Sequence, residues 1–171
     1  MKIFRSIACL ALATAMGSAS AAASKDCLSE VEGAAVMAAV LPDLIDGLRD
    51  KCAAHLPAKA FLTSNADAMV GKFRVVADER WPTAKLAFAR IAGQEDMADK
   101  LPDEYFKPML GAMVGAELVK DVKADDCPAI DRVVENLSPL PAENVAALIG
   151  AILMLANDEK DQDNSLPMCK A

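Results

Sequence analysis

Aromatic side chains are scarce. Beyond residue 23 the chain has only Phe61, Phe73, Trp81, Phe88, Tyr105 and Phe106. Glycoside cleavage needs two carboxyls facing each other across a cleft, and one Trp and one Tyr give little of the aromatic wall that commonly holds a sugar there. Histidine is scarcer: His55 is the only imidazole. With no histidine-linked nucleophile motif, it reads as a helix-terminal residue facing the negative end of its own helix dipole rather than as a catalytic base. Runs of alternating β-branched residues are nearly absent, which leaves little material for strands. Basic runs are missing too. Against 25 acidic residues stand 18 basic ones, a formal net charge of −7. That balance disfavours nucleic acid and anionic membrane surfaces as partners, since both attract positive charge.

Cys-x-x-Cys pairs are also absent, which removes the usual redox-active motif and the usual zinc spacing. The cysteines that are there stand far apart, at Cys9, Cys27, Cys52, Cys127 and Cys169. Cys9 falls in an N-terminal stretch with the pattern of a secretory leader. Lys2 and Arg5 precede an apolar run from Ile7 to Met16, and two Ala-x-Ala sites follow at 19–21 and 21–23. The run is too short to span a bilayer and reads as a cleaved signal peptide over 1–23. Its removal leaves 148 of the 171 residues and takes the formal charge from −7 to −9. Four cysteines in an exported chain read as two disulfides in an oxidising compartment, periplasmic or secreted.

What remains is rich in alanine, leucine, methionine and valine, and apolar residues recur at steps of three and four. Leu41, Leu44, Ile45, Leu48, Cys52 and Leu56 form one such face. Met69, Val70, Phe73, Val76 and Ala77 form a second, and Phe106, Leu110, Met113, Val114 and Leu118 another. Leu-Pro pairs at 41–42, 56–57, 101–102, 140–141 and 166–167 read as helix starts, because proline suits a first helical turn. The expected helices cover 28–40, 42–55, 64–79, 80–92 after a kink at Pro82, 95–100, 102–122, 128–137 and 141–156. The fold class is all-α: a single compact bundle of about six to seven helices with two disulfides. It divides into the signal peptide at 1–23, a helical domain at 24–157, and a polar tail at 158–171 anchored by Cys169.

One run stands out. Val145 to Ala156 is twelve uncharged residues in succession. A spanning helix needs about 20 apolar residues, so the run is not a membrane span. Apolar on every side, it is expected to be the buried central helix of the bundle, with Gly111 and Gly115 of "GAMVG" marking where the helix at 102–122 packs tightly against it. The residue before a proline avoids α geometry, so a break is expected at Leu41-Pro42. A hairpin there would bring Cys27 to Cys52 and leave Cys127 to pair with Cys169.

Candidates for chemistry are thin. Asp125 and Asp126 read as caps for the following helix, and Asp46 and Asp50 as a solvated helix face. "DQDNS" at 161–165 lacks the glycine and the closing glutamate of a calcium loop. Methionines, Met109 and Met113 among them, are too scattered for a copper site. No nucleophile, base and orienter can be assembled, so no enzyme, metal or cofactor is expected. The most distinctive stretch is "FRVVADERWPTAKLAFARIAG", where basic and aromatic residues interleave. Arg74, Arg80, Trp81 and Lys85 are the candidate partner-binding residues, since Arg and Trp are favoured anchors. The function expected is non-catalytic binding of an unidentified protein partner or of a second copy. The alternative is a carrier of a small apolar ligand, with an enzyme of unrecognised class third.

Overall fold

In a computed structural model, which describes residues 27–157 and 167–169, seven α-helices follow one another: α1 (Glu30–Cys52), α2 (Phe61–Ser64), α3 (Ala66–Ile91), α4 (Glu95–Lys100), α5 (Asp103–Val119), α6 (Cys127–Leu137) and α7 (Ala142–Asn157). A 3-10 turn, Ala124–Asp126, leads into α6. Among the described residues there is no strand, only an isolated parallel bridge between Leu28 and Met168. The fold class is therefore all-α. The stretch expected to be a signal peptide, most of the polar tail and the "DQDNS" segment lie outside the described residues.

The chain is built on α1. Ser29 starts it with a capping box: the Glu32 amide donates to Ser29 Oγ at 3.3 Å, and the Ser29 amide donates back to Glu32 Oε2 at 2.8 Å. Glu30 and Glu32 in the first turn and Arg49 and Lys51 in the last both suit the helix dipole. The expected break at Pro42 is not there, and α1 runs straight through it. An interior proline costs about 3 kcal/mol. Val40, Leu41 and Ile45 beside it are all buried, and burying each such side chain contributes about 1.5–3 kcal/mol, so the packed helix wins. Pro82 is absorbed into α3 in the same way, and the helices expected at 64–79 and 80–92 are one. Gly93, with φ of 64°, supplies the left-handed residue just past the end of α3.

Helices α3, α5 and α7 all pack on α1. They enclose two apolar clusters. One gathers Leu41, Ile45, Leu62, Phe73, Val134 and Val145; the other gathers Leu28, Val36, Val40, Trp81, Phe106 and Leu110. The central helix is thus α1 and not α7. Among the described side chains, α7 meets the core through Ala142, Val145, Ala146 and Gly150, with Gly150 against Ala34 of α1 and with Ile149 and Met154 packed partly buried beside them. Gly111 and Gly115 of α5 likewise approach α1, at Asp43 and Leu44, and not α7.

The continuous α1 also overturns the expected cysteine pairing. Its 23 residues span about 34 Å, so Cys27 and Cys52 stand at opposite ends. The disulfides are Cys27–Cys169, with Cα atoms 4.9 Å apart, and Cys52–Cys127, at 5.5 Å. The first ties the C-terminal segment beside the start of α1. There the Leu28 amide donates to the Pro167 carbonyl at 2.6 Å and the Cys169 amide to the Leu28 carbonyl at 2.8 Å. Met168 is buried against Gly33. The second disulfide joins the last turn of α1 to the first residue of α6.

Candidate interaction surface

The four residues singled out on α3 divide between two sides of the helix and its buried stripe. Trp81 is buried, its ring 5.7 Å from that of Phe106 and under the Lys107 ammonium at 5.8 Å. Its Nε1 is buried without a hydrogen bond of ordinary geometry. Lys85 donates to Asp103 Oδ1 at 2.6 Å and reaches the Leu101 carbonyl at 3.4 Å, which ties α3 to the start of α5. The Asp103 carboxyl is held below its usual range by Lys85 first and then by the nearby Trp81 indole. Both side chains therefore serve packing between α3 and α5. Arg74 and Arg80 are exposed. Six residues of α-helix turn through about 240°, so the two point to different sides of α3.

Arg74 faces a cleft of about 190 Å³ between α1, α3 and α5, whose lining includes Pro42, Asp43, Asp78 and Lys107. Its charges pair off: Arg74 Nη2 is 3.3 Å from Asp46 Oδ2, and Lys107 bonds to Asp78. Asp46 also holds Arg49 at 2.9 Å, and Arg49 reaches Asp67 at 2.6 Å. Asp46 is thus a network residue, while Asp50 stays at the rim, 3.7 Å from Arg49 Nε. Asp43 is pressed against Gly111. Burial pushes its carboxyl above the ordinary value, and the charge of Asp46 adds to the shift against the opposing pull of Arg74 and Lys107.

Arg80 faces the other way, onto an open groove of about 430 Å³ between α1, α3 and α7. Ala34, Ala35, Ala38, Ala146, Ala147 and Val76 line it together with Val31, and Glu30, Arg80, Glu143 and Asn144 stand around them. Among the described residues no carboxylate lies within ion-pair distance of Arg80. Sequence reasoning found Arg80 but not the groove, because alanines on three separate helices carry no signal until those helices meet.

Beside the groove lies the outer side of α7. Leu148, Ile152 and Leu155 are 45 %, 54 % and 73 % exposed. Their i, i+4, i+7 spacing puts them on one stripe, and no charged residue occurs from Asn144 to Asn157. On α5, Tyr105, Met109 and Met113 are exposed in a second, mixed row.

The remaining candidates are placed as follows. His55 is exposed in the turn after α1, its amide bonded to the Cys52 carbonyl at 2.9 Å. Asp126 does not cap α6 with its side chain; its Oδ2 accepts from the Lys123 amide at 2.9 Å and closes the 3-10 turn instead. Asp125 is exposed in the same turn. An unforeseen polar tie is Asp131 of α6, whose Oδ1 accepts from the Leu62 amide of α2 at 2.7 Å. Among the described residues no three His, Cys, Asp or Glu side chains are grouped to hold a metal ion, and no helix is long and apolar enough to cross a membrane. Compared with protein-family models, with curated proteins and with solved structures, the chain matches none.

Proposed function

We propose that the chain is an exported, non-catalytic binding module that docks another polypeptide on the face formed by α7 and the adjoining α1–α3 groove. The observation that carries the reading is the row Leu148, Ile152 and Leu155, left open to solvent on a helix that packs against α1 through Ala142, Val145, Ala146 and Gly150. An exposed aliphatic row beside a groove lined by small residues suits a helix laid in by its apolar side, one of the recurring modes of peptide recognition. Arg80 at the groove edge, unpaired within the described chain, offers a charge-assisted contact to a carboxylate on that peptide. The two disulfides suit a location in the periplasm or outside the cell, reached through cleavage of the leader at 1–23.

A second reading, carriage of a small apolar ligand, has the same groove in its favour, since about 430 Å³ lined largely by alanine and valine would take one. Native mass spectrometry of the protein purified from an oxidising compartment separates the two. A bound polypeptide supports the docking module, and a bound apolar molecule of a few hundred daltons overturns it in favour of the carrier. A photo-crosslinking residue at Ile152 should capture protein, whereas the same residue at exposed Lys59 should not; equal capture at both sites also overturns the docking face.

A further inference from the structure

We propose that Cys27–Cys169 is a redox latch: a dithiol reductant opens it ahead of Cys52–Cys127, and the C-terminal strap 167–169 then leaves the start of α1. Access favours this bond. A thiolate must reach a sulfur to break a disulfide. Cys27 and Cys169 are half-buried, whereas Cys52 and Cys127 are both 0 % exposed. The two bonds also differ in what they join. Cys52 and Cys127 belong to helices α1 and α6. Cys169 lies on a strap that meets the residues before α1 at an isolated bridge, Leu28 with Met168.

The two sides of the latch are held unequally. The Cys27 side is pinned without the disulfide: Arg90 of α3 donates from Nη1 to the Cys27 carbonyl at 3.0 Å and from Nη2 to Glu32 Oε1 at 2.6 Å. Glu32 in turn closes the capping box with Ser29. The strap side rests on the backbone bonds with Leu28 and on the Met168 side chain in its seat at Gly33. Ordering three residues and a methionine offsets much of what two hydrogen bonds and one buried side chain contribute, so the covalent bond decides whether the strap stays. In the opening step one thiolate of the dithiol attacks a cysteine sulfur, and its second thiol resolves the mixed disulfide. Two electrons and two protons pass to the pair: the dithiol is oxidised to its own disulfide, and Cys27 and Cys169 become thiols. What opens is apolar, since Leu28 and Met168 are both buried while the strap is closed and pack in one cluster with Val36 and Phe106.

The test uses the full disulfide-bonded chain and dithiothreitol, with free thiols trapped by iodoacetamide and located by mass spectrometry. Alkylation of Cys27 and Cys169 is expected while Cys52–Cys127 is still intact and the helical circular dichroism is retained. In that species the amides of Leu28 and Cys169, read by nuclear magnetic resonance, should exchange hydrogen at least about tenfold faster than in the oxidised chain, while those inside α3 keep their protection. The Cys27→Ser/Cys169→Ser pair should show the same fast exchange with no reductant present. Should that variant fail to fold, the reduced wild type decides alone. Both bonds opening together, or Cys52–Cys127 opening first, overturns the latch. So does loss of helix on opening the terminal bond, and so do Leu28 and Cys169 amides that stay protected once it is open.

Discussion

The carboxylate of Asp43 lies directly against the backbone of Gly111: a β-carbon added at Gly111 would stand 1.7 Å from Asp43 Oδ2 and 2.6 Å from its Cγ. At Gly115, one turn on, the nearest atoms of α1 would be an ordinary 3.6 Å away. The two glycines therefore answer differently to the same change. Gly111→Ala should lower stability by about 1–3 kcal/mol through overpacking. Gly115→Ala should be neutral or raise it by up to about 1 kcal/mol, because alanine is the better helix former. Combining Gly111→Ala with Asp43→Ala should recover part of the loss, and thermal melting of the three variants checks it.

The same contact makes Asp43 sensitive to pH. Its carboxyl titrates above the ordinary value of 3.8, from burial and then from Asp46, with Arg74 and Lys107 opposing. A raised folded-state pKa favours the protonated form in the native chain. Its stabilising contribution is full below the unfolded value and is lost as pH rises through the folded one. Asp43→Asn, which keeps the shape without the charge, should melt higher than wild type at pH 7. The difference should shrink as pH falls toward 3.8. A gap that widens on acidification contradicts the assignment.

Two positions seven residues apart on α7 should respond oppositely to charge. Val145 is 1 % exposed, while Ile152 is 54 % exposed. Val145→Asp buries an unpaired carboxylate, at a cost of several kcal/mol against a total stability of about 5–15 kcal/mol, and should abolish the cooperative melt. Ile152→Asp, two turns further along the same stripe where the helix is exposed, should stay within about 0.5 kcal/mol of wild type in dilute solution.

The cysteine pairing is checked by peptide mapping without reduction, which should return Cys27 linked to Cys169 and Cys52 linked to Cys127. Cys52 and Cys127 are fully buried, whereas Cys27 and Cys169 are only partly so. Mild thiol should therefore open the terminal bond first. The bonds close long loops, with separations of 142 and 75 residues, and in the chain-entropy model removing either costs on the order of 4 kcal/mol. Urea melts of the Cys52→Ser/Cys127→Ser and Cys27→Ser/Cys169→Ser pairs measure it.

The sequence by itself determined that the described chain is helical, that its cysteines form two disulfides, and nearly where the helices lie. Those properties are local: alanine and leucine favour helix wherever they stand, apolar spacing of three and four marks a buried side, and Pro102 and Pro141 stand immediately before α5 and α7. What the sequence could not decide was which helix sits in the middle. An apolar run such as Val145 to Ala156 is equally consistent with a core helix and with a helix buried on one side and open on the other, because periodicity vanishes when every position is apolar.

Only the tertiary structure fixed the helix order around α1, since that depends on the fate of Pro42. The local cost of an interior proline pointed to a break, and the burial of Val40, Leu41 and Ile45 outweighed it. The cysteine partners, the seat of Gly111 on Asp43, the alanine groove and the exposed row on α7 all follow from that one long helix. They are sums over contacts between distant residues, and no window along the chain contains both members of such a contact.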